Sequence, residues 1–81
     1  MKLHVQFYSQ LRDLAGRSGF DVDLAEGTVV SDLLEQIYAK APALRLHDKS
    51  ILVGAGVDFV DRNYKLRPDD EISIMPPVQG G

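Results

Sequence analysis

"TVVSDLLEQIYAKAP", Thr28 to Pro42, decides how this chain folds. Val30, Leu33, Leu34, Ile37, Tyr38 and Ala41 recur at helical spacing and form one apolar stripe. Gly27 breaks the chain before it, and Thr28 is placed to cap it. Asp32 and Glu35 stand in the early turns, where the helix dipole favours negative charge, and Lys40 stands in the last. Pro42 ends the segment. This is the one substantial helix that the pattern predicts. One helix covers one face of a sheet and leaves the other to water or a partner.

The flanking segments supply the sheet. Leu3, Val5 and Phe7 alternate with His4, Gln6 and Tyr8, and Phe20, Val22 and Leu24 alternate with Asp21 and Asp23. That period of two marks half-buried strands. "SQLRDLAGRSG", Ser9–Gly19, joins them as a long loop, with Leu11 and Leu14 expected to fold back as a lid on one end of the core. Beyond the helix, "SILVGAGV", Ser50–Val57, reads as a strand with Ile51, Leu52, Val53 and Val57 as its apolar content. "DFV", Asp58–Val60, is a short strand at best. In "LRPDDEISIMPP", Leu66–Pro77, Pro68, Asp69 and Asp70 make a turn, and Ile72 and Ile74 alternate with Ser73 and Met75 as the final strand. Pro76 has no amide hydrogen and ends the ladder. The order β-β-α-β-β-β predicts an α+β roll, a mixed sheet of about five strands with one main helix packed on one face. The first and last strands can then lie side by side in parallel, which puts the chain's tail at a sheet end. Residues 1–75 are expected to be the folded domain and 76–81 an extended tail.

The chain has 81 residues, near the lower limit for a domain that folds alone. It has no cysteine, so disulfides, thiolate metal sites and a cysteine nucleophile are excluded. Net charge is −3, and the acids are spread along the chain. No run of Lys and Arg makes a nucleic-acid footprint, and no apolar run approaches a membrane span. "MKLHVQFY" alternates where a signal peptide would be continuously apolar, so a cytoplasmic protein is expected. "GAGVDF" has Phe59 where a dinucleotide loop needs its third glycine, so it reads as a strand of small residues passed closely by another element. His4 and His47 lack ligand spacing, "PDDE" falls short of a calcium loop, and "SQLRD" has no histidine in reach. No bound cofactor, no metal and no catalytic constellation are expected; the body reads as a scaffold.

The chemistry is therefore expected in the closing "PPVQGG". Pro76 and Pro77 favour extended backbone and project the last four residues away from the body at low entropic cost. Val78 to Gly81 reach at most roughly 14 Å. Gly80 and Gly81 lack a Cβ, so the segment is thin enough to thread a narrow channel, where a terminal carboxylate can be the reacting group.

"MPPVQGG", Met75–Gly81, resembles the closing motif of the molybdopterin synthase small-subunit family, the sulfur carriers of molybdenum cofactor synthesis. "LRPDDEISIMPPVQGG" is similar to that family's last turn and strand, and "VQFYSQLRDLAG", Val5–Gly16, to its first strand and the Arg-acid-Leu segment behind it. The resemblance implies a ubiquitin-like β-grasp fold. It implies that an adenylyltransferase resembling a ubiquitin-activating enzyme uses ATP to adenylate the Gly81 carboxylate, which becomes a thiocarboxylate. It also implies that the large subunit of molybdopterin synthase takes the tail, in a heterotetramer, and passes the sulfur to a cyclic pterin precursor.

By the same resemblance Gly81 is the modified residue and Gly80 the second tail glycine. Pro76, Pro77, Val78 and Gln79 form the segment that the partner holds. Met75 stands where the family often has Phe, Tyr8 matches an exposed aromatic that meets partners, and Arg12 matches a basic residue just beyond it. Gly56 departs from an Asn that many relatives carry, which bears on the turn into the fourth strand. A sulfur carrier for thiamine or tRNA thiolation, and a ubiquitin-like modifier of lysines, share the fold and the Gly-Gly and stay open as alternatives.

Overall fold

The strand that closes the sequence pattern is the middle strand of the sheet. The computed structural model describes residues 1–77. It contains β1 (Lys2–Phe7), α1 (Gln10–Ala15), β2 (Gly19–Asp23), α2 (Val30–Lys40), a 3-10 helix (Pro42–Ser50), β3 (Leu52–Ala55), β4 (Asp58–Val60) and β5 (Glu71–Met75). The sheet has five strands in the order β2-β1-β5-β3-β4. β1 and β5 pair in parallel, with Val5 opposite Ile72 and Phe7 opposite Ile74. The other pairings are antiparallel. The mixed five-stranded α+β architecture is thus the one the pattern implies, and it is a ubiquitin-like β-grasp.

Alternation along the strands sets the two faces. Leu3, Val5, Phe7, Val53, Ile72 and Ile74 are buried toward α2, which returns Val30, Leu33, Leu34, Ile37 and Tyr38. The intervening strand residues face away from the helix, so one side of the sheet has no helix over it.

Three local expectations are corrected. Ser9–Gly19 is not all loop: Gln10–Ala15 is a helix, closed by Gly16 at φ 75°, whose N–H donates to the carbonyls of Arg12 and Asp13. Leu11 is buried at 2% exposure, but Leu14 is 38% exposed, so Leu11 alone serves as the lid. A helix this short turns only one residue inward and leaves the next leucine outside. Thr28 does not cap α2; its hydroxyl donates to the Ala25 carbonyl at 2.6 Å. The N–H groups of Val30 and Ser31 instead donate to the carbonyls of Tyr64 and Arg62, both at 3.0 Å, so a distant loop satisfies the helix start. Val57 is not strand content: it stands fully exposed in the β3–β4 turn, after Gly56 at φ 63°. Glycine and asparagine are the residues that best tolerate that left-handed angle, so the turn favours one of them at position 56.

Pro42 does end α2, and it opens the 3-10 helix that the pattern treated as plain connection. β5 ends at Met75, directly before Pro76. Val78, Gln79, Gly80 and Gly81 lie outside the described residues.

Candidate functional site at the root of the tail

Because β1 and β5 run parallel, both deliver their ends to the same edge of the fold. The Tyr8 N–H donates to the Ile74 carbonyl at 3.1 Å, which extends the pairing and sets Tyr8 beside Met75. Ser9 then takes φ 54°, a left-handed angle unusual for a residue with a Cβ, and swings the chain off the sheet into α1.

The face without a helix is built row by row from the register. Gln6 stands opposite Ser73, Ser73 opposite Gly54, and Gly54 opposite Phe59. In the next row Met75 stands opposite Leu52. Gly54 has no side chain to fill its place, and the Met75 side chain lies over it: a Cβ added to Gly54 would be 3.2 Å from Met75 Cε. Around that point Tyr8, Val57, Asp58, Phe59, Ser73 and Met75 line a shallow cavity of about 320 Å³. Tyr8 is 42% exposed and Phe59 66%. Large apolar groups held in the open around a groove are the usual composition of a protein-docking surface.

The structure brings two of the expected residues, Tyr8 and Met75, into one cavity. Pro76 and Pro77 come directly after, half-buried and exposed respectively. Arg12 is exposed on α1 and does not line the cavity. Sequence reasoning missed Phe59 and Gly54. Their membership depends on the order β5-β3-β4, which no local pattern states; the outward parity of Phe59 next to inward Val60 was the only available signal.

The perturbed titratable groups lie elsewhere and bind the scaffold together. The Tyr38 hydroxyl donates to Asp48 Oδ1, while Arg62 donates to Asp48 Oδ1 at 3.0 Å and to its backbone carbonyl at 2.6 Å. Burial, then the bond to Asp48, pushes the Tyr38 hydroxyl above the usual tyrosine range. The bond from Tyr38, and then Arg62, hold the Asp48 carboxyl below its ordinary value. Arg62 also donates to the Ile51 carbonyl, so this cluster ties the 3-10 helix and the start of β3 to the loop that caps α2. His4 pairs with Asp21 at 2.9 Å in the open. Among the described residues no group of three or more His, Asp or Glu is placed to hold a metal ion, and no helix is long and apolar enough to cross a membrane.

A mixed β-grasp sheet with one helix-covered face, an open face that is apolar around Tyr8, Phe59 and Met75, and a Pro-Pro-x-x-Gly-Gly segment leaving its central strand defines a ubiquitin-like protein. The chain belongs to the ThiS family, whose model matches residues 5–81. It is 32% identical to the molybdopterin synthase sulfur carrier subunit of Chlamydomonas reinhardtii, over 100% of both chains. The fold is that of small archaeal modifier protein 1 of Haloferax volcanii (TM-score 0.87, 24% identity, 100% of both chains covered). It is also that of a chain in the protein-protein complex of subunits 1 and 2 of the molybdopterin-converting factor of Helicobacter pylori (TM-score 0.71, 22% identity, 100% of both chains covered).

Proposed function

We propose that this chain is the sulfur carrier of a molybdopterin synthase, with the Gly81 carboxylate as its working group. The observation that carries the reading is the end-to-end similarity to a sulfur carrier subunit of that enzyme. The open face around Tyr8, Phe59 and Met75 supports it, because a carrier needs a docking surface beside the root of its tail.

The chemistry is set by the group at the end. A carboxylate is a poor electrophile, since oxide is a poor leaving group. Its oxygen attacks the α-phosphorus of ATP on an activating enzyme, pyrophosphate leaves, and the acyl-adenylate carries AMP as a good leaving group. Sulfide-level sulfur, HS−, then displaces AMP and loses its proton to leave a thiocarboxylate. That soft sulfur attacks an electrophilic carbon of the pterin precursor in the large subunit, the carbon–oxygen bond at that carbon breaks and its oxygen leaves, and water cleaves the acyl–sulfur bond to restore the carboxylate. The body contributes recognition: the Tyr8–Phe59–Met75 surface docks, and Pro76 and Pro77 aim the segment Val78–Gly81.

The test is intact-mass measurement after incubation with the cognate activating enzyme, ATP and a sulfur donor, followed by turnover of the precursor with the large subunit. One oxygen exchanged for sulfur at Gly81, and sulfur delivered to the precursor, is the expected result. Sulfur delivery to a thiamine precursor or a tRNA instead, or conjugates to lysine, would replace this reading with a rival.

A further inference from the structure

The sequence spreads its cations widely, but the fold gathers several of them at the end from which the tail leaves. Building on the carrier reading, we propose that Arg12, Arg17, Lys40 and Lys49 form a basic collar around the tail root. The collar takes an acidic surface on the protein that receives the tail and steers the tail toward it.

Strand direction places each of them. Arg12 is on α1, which comes after the end of β1, and that end lies beside the end of β5. Arg17 lies two residues before β2, whose first residue, Gly19, stands opposite Gln6 near that same end. Lys49 precedes β3, whose first residue, Leu52, stands opposite Met75. Lys40 closes α2 with Nζ 5.0 Å from the centre of the Phe20 ring, and Arg17 places Cζ 5.6 Å from that ring centre. All of these cations are exposed. Among the described residues none lies within ion-pair distance of a carboxylate, in contrast to Arg45 with Glu35 and Arg62 with Asp48.

The opposite end of the sheet carries the other sign. Asp23 ends β2, Glu71 begins β5, and Asp69 and Asp70 make the turn before it, against Lys2 and Arg67 at the same end. At the tail root Asp48 is already paired with Arg62, and Asp13 and Asp61 offset part of the collar, which leaves a dipole with an excess of cations there and of carboxylates at the far end. Such a dipole orients the molecule during approach, and steering of this kind raises association rates by about 10- to 1,000-fold at low salt. The cations stand on separate elements and none of them lines the cavity beside Tyr8 and Met75. A small anion needs donors converging on one point, whereas a protein surface matches a spread of charge.

Stopped-flow association of the full chain with the large subunit of its molybdopterin synthase tests the collar. Reversal at Arg17→Glu with Lys40→Glu, and separately Lys49→Glu, should lower kon at low salt by at least about tenfold, with the difference collapsing at high salt. The dissociation rate should change by less than about twofold. Asp23→Lys, at the far pole, should not lower kon. In a second arm, NMR titration with hexaglutamate should shift the amides of Arg12, Arg17, Lys40 and Lys49 and leave the Tyr8–Phe59 face unmoved. If the peptide maps to the collar but the large subunit does not bind, the collar stands and the carrier reading fails. If the large subunit binds with a rate that ignores these reversals, or the peptide shifts no collar amide, the collar is overturned and the carrier reading is untouched.

Discussion

Met75 lies over Gly54, so closely that a Cβ on residue 54 would stand 3.2 Å from the methionine's Cε. The absent side chain on the third strand is what lets the last residue of the fifth strand lie flat on the open face. Gly54→Val should push Met75 off its seat, because the added methyl groups enter a space where Asp58 and Ser73 already stand 3.6 Å from the new Cβ. We expect binding to the large subunit to weaken by about tenfold, or ~1.4 kcal/mol, by calorimetry. Gly54→Ala should cost much less, since the flexible methionine end can give by a few tenths of an ångström.

Tyr8→Ala and Phe59→Ala probe the same surface from its rim. Phe59 is largely exposed and Tyr8 partly so, and neither belongs to the buried core, so the folded state should change by no more than ~0.5 kcal/mol. As anchors of an interface, each should cost more than ~1 kcal/mol in affinity. Equal affinity in surface-plasmon measurements for both variants would remove the open face from the docking site.

The body is small, so its core has little margin. Ile74 is fully buried, and Ile74→Ala should cost about 2–5 kcal/mol, comparable to the roughly 3–5 kcal/mol that a domain of this size has in hand. Circular dichroism should show it largely unfolded at 37 °C. Gly19→Ala should be as damaging for a different reason: a Cβ there would stand 2.3 Å from the Val5 carbonyl oxygen, and backbone cannot step aside as a methionine can.

Tyr38 and Asp48 make the fold's stability depend on pH. Asp48 is held below its ordinary value in the folded chain, so its contribution is complete above the unfolded carboxylate pKa of about 3.9 and is lost as pH falls through the lowered folded value. Tyr38 is held above its ordinary value, so its contribution is complete below about pH 10 and is lost as pH rises beyond it. Urea unfolding of Tyr38→Phe should show a loss of about 1.5–3 kcal/mol near neutrality, the range for a hydrogen bond to a charged group. The variant's alkaline decline should be shallower than that of the parent chain, because the titrating hydroxyl is gone. An unchanged alkaline slope would assign that decline to other groups.

What could be read in the sequence was whatever repeats locally. The stripe from Val30 to Ala41 and the alternation in Leu3–Tyr8 and Ile72–Met75 each record burial against one layer, so helix, strands and the neighbouring ends of the first and last strands were legible. α1 and the 3-10 helix were not. They bury little beyond Leu11 and Leu44, too few residues to show a period, and they pack against each other. The missed cap on α2 has the same origin, since the carbonyls of Arg62 and Tyr64 reach it across the fold. At the site, the family resemblance singles out Tyr8 and Met75 and strand parity turns both outward, whereas Phe59 joins them only through cross-strand neighbours. The cations of the collar lie far apart along the chain, so no charge run reveals them.

The central claim is that the acid of Gly81 carries the sulfur while the body only presents it. Removing Gly81 should leave the melting temperature unchanged, because the buried core runs from Leu3 to Ile74 and the sheet ends at Met75. The direct measurement is sulfur delivery by two forms of the chain, one ending at Gly81 and one extended by a few residues that stay in place during the assay. Both should fold and both should bind the large subunit's surface, but only the form ending at Gly81 should gain sulfur by mass and convert the precursor. Full-rate sulfur delivery by the extended form would contradict the account.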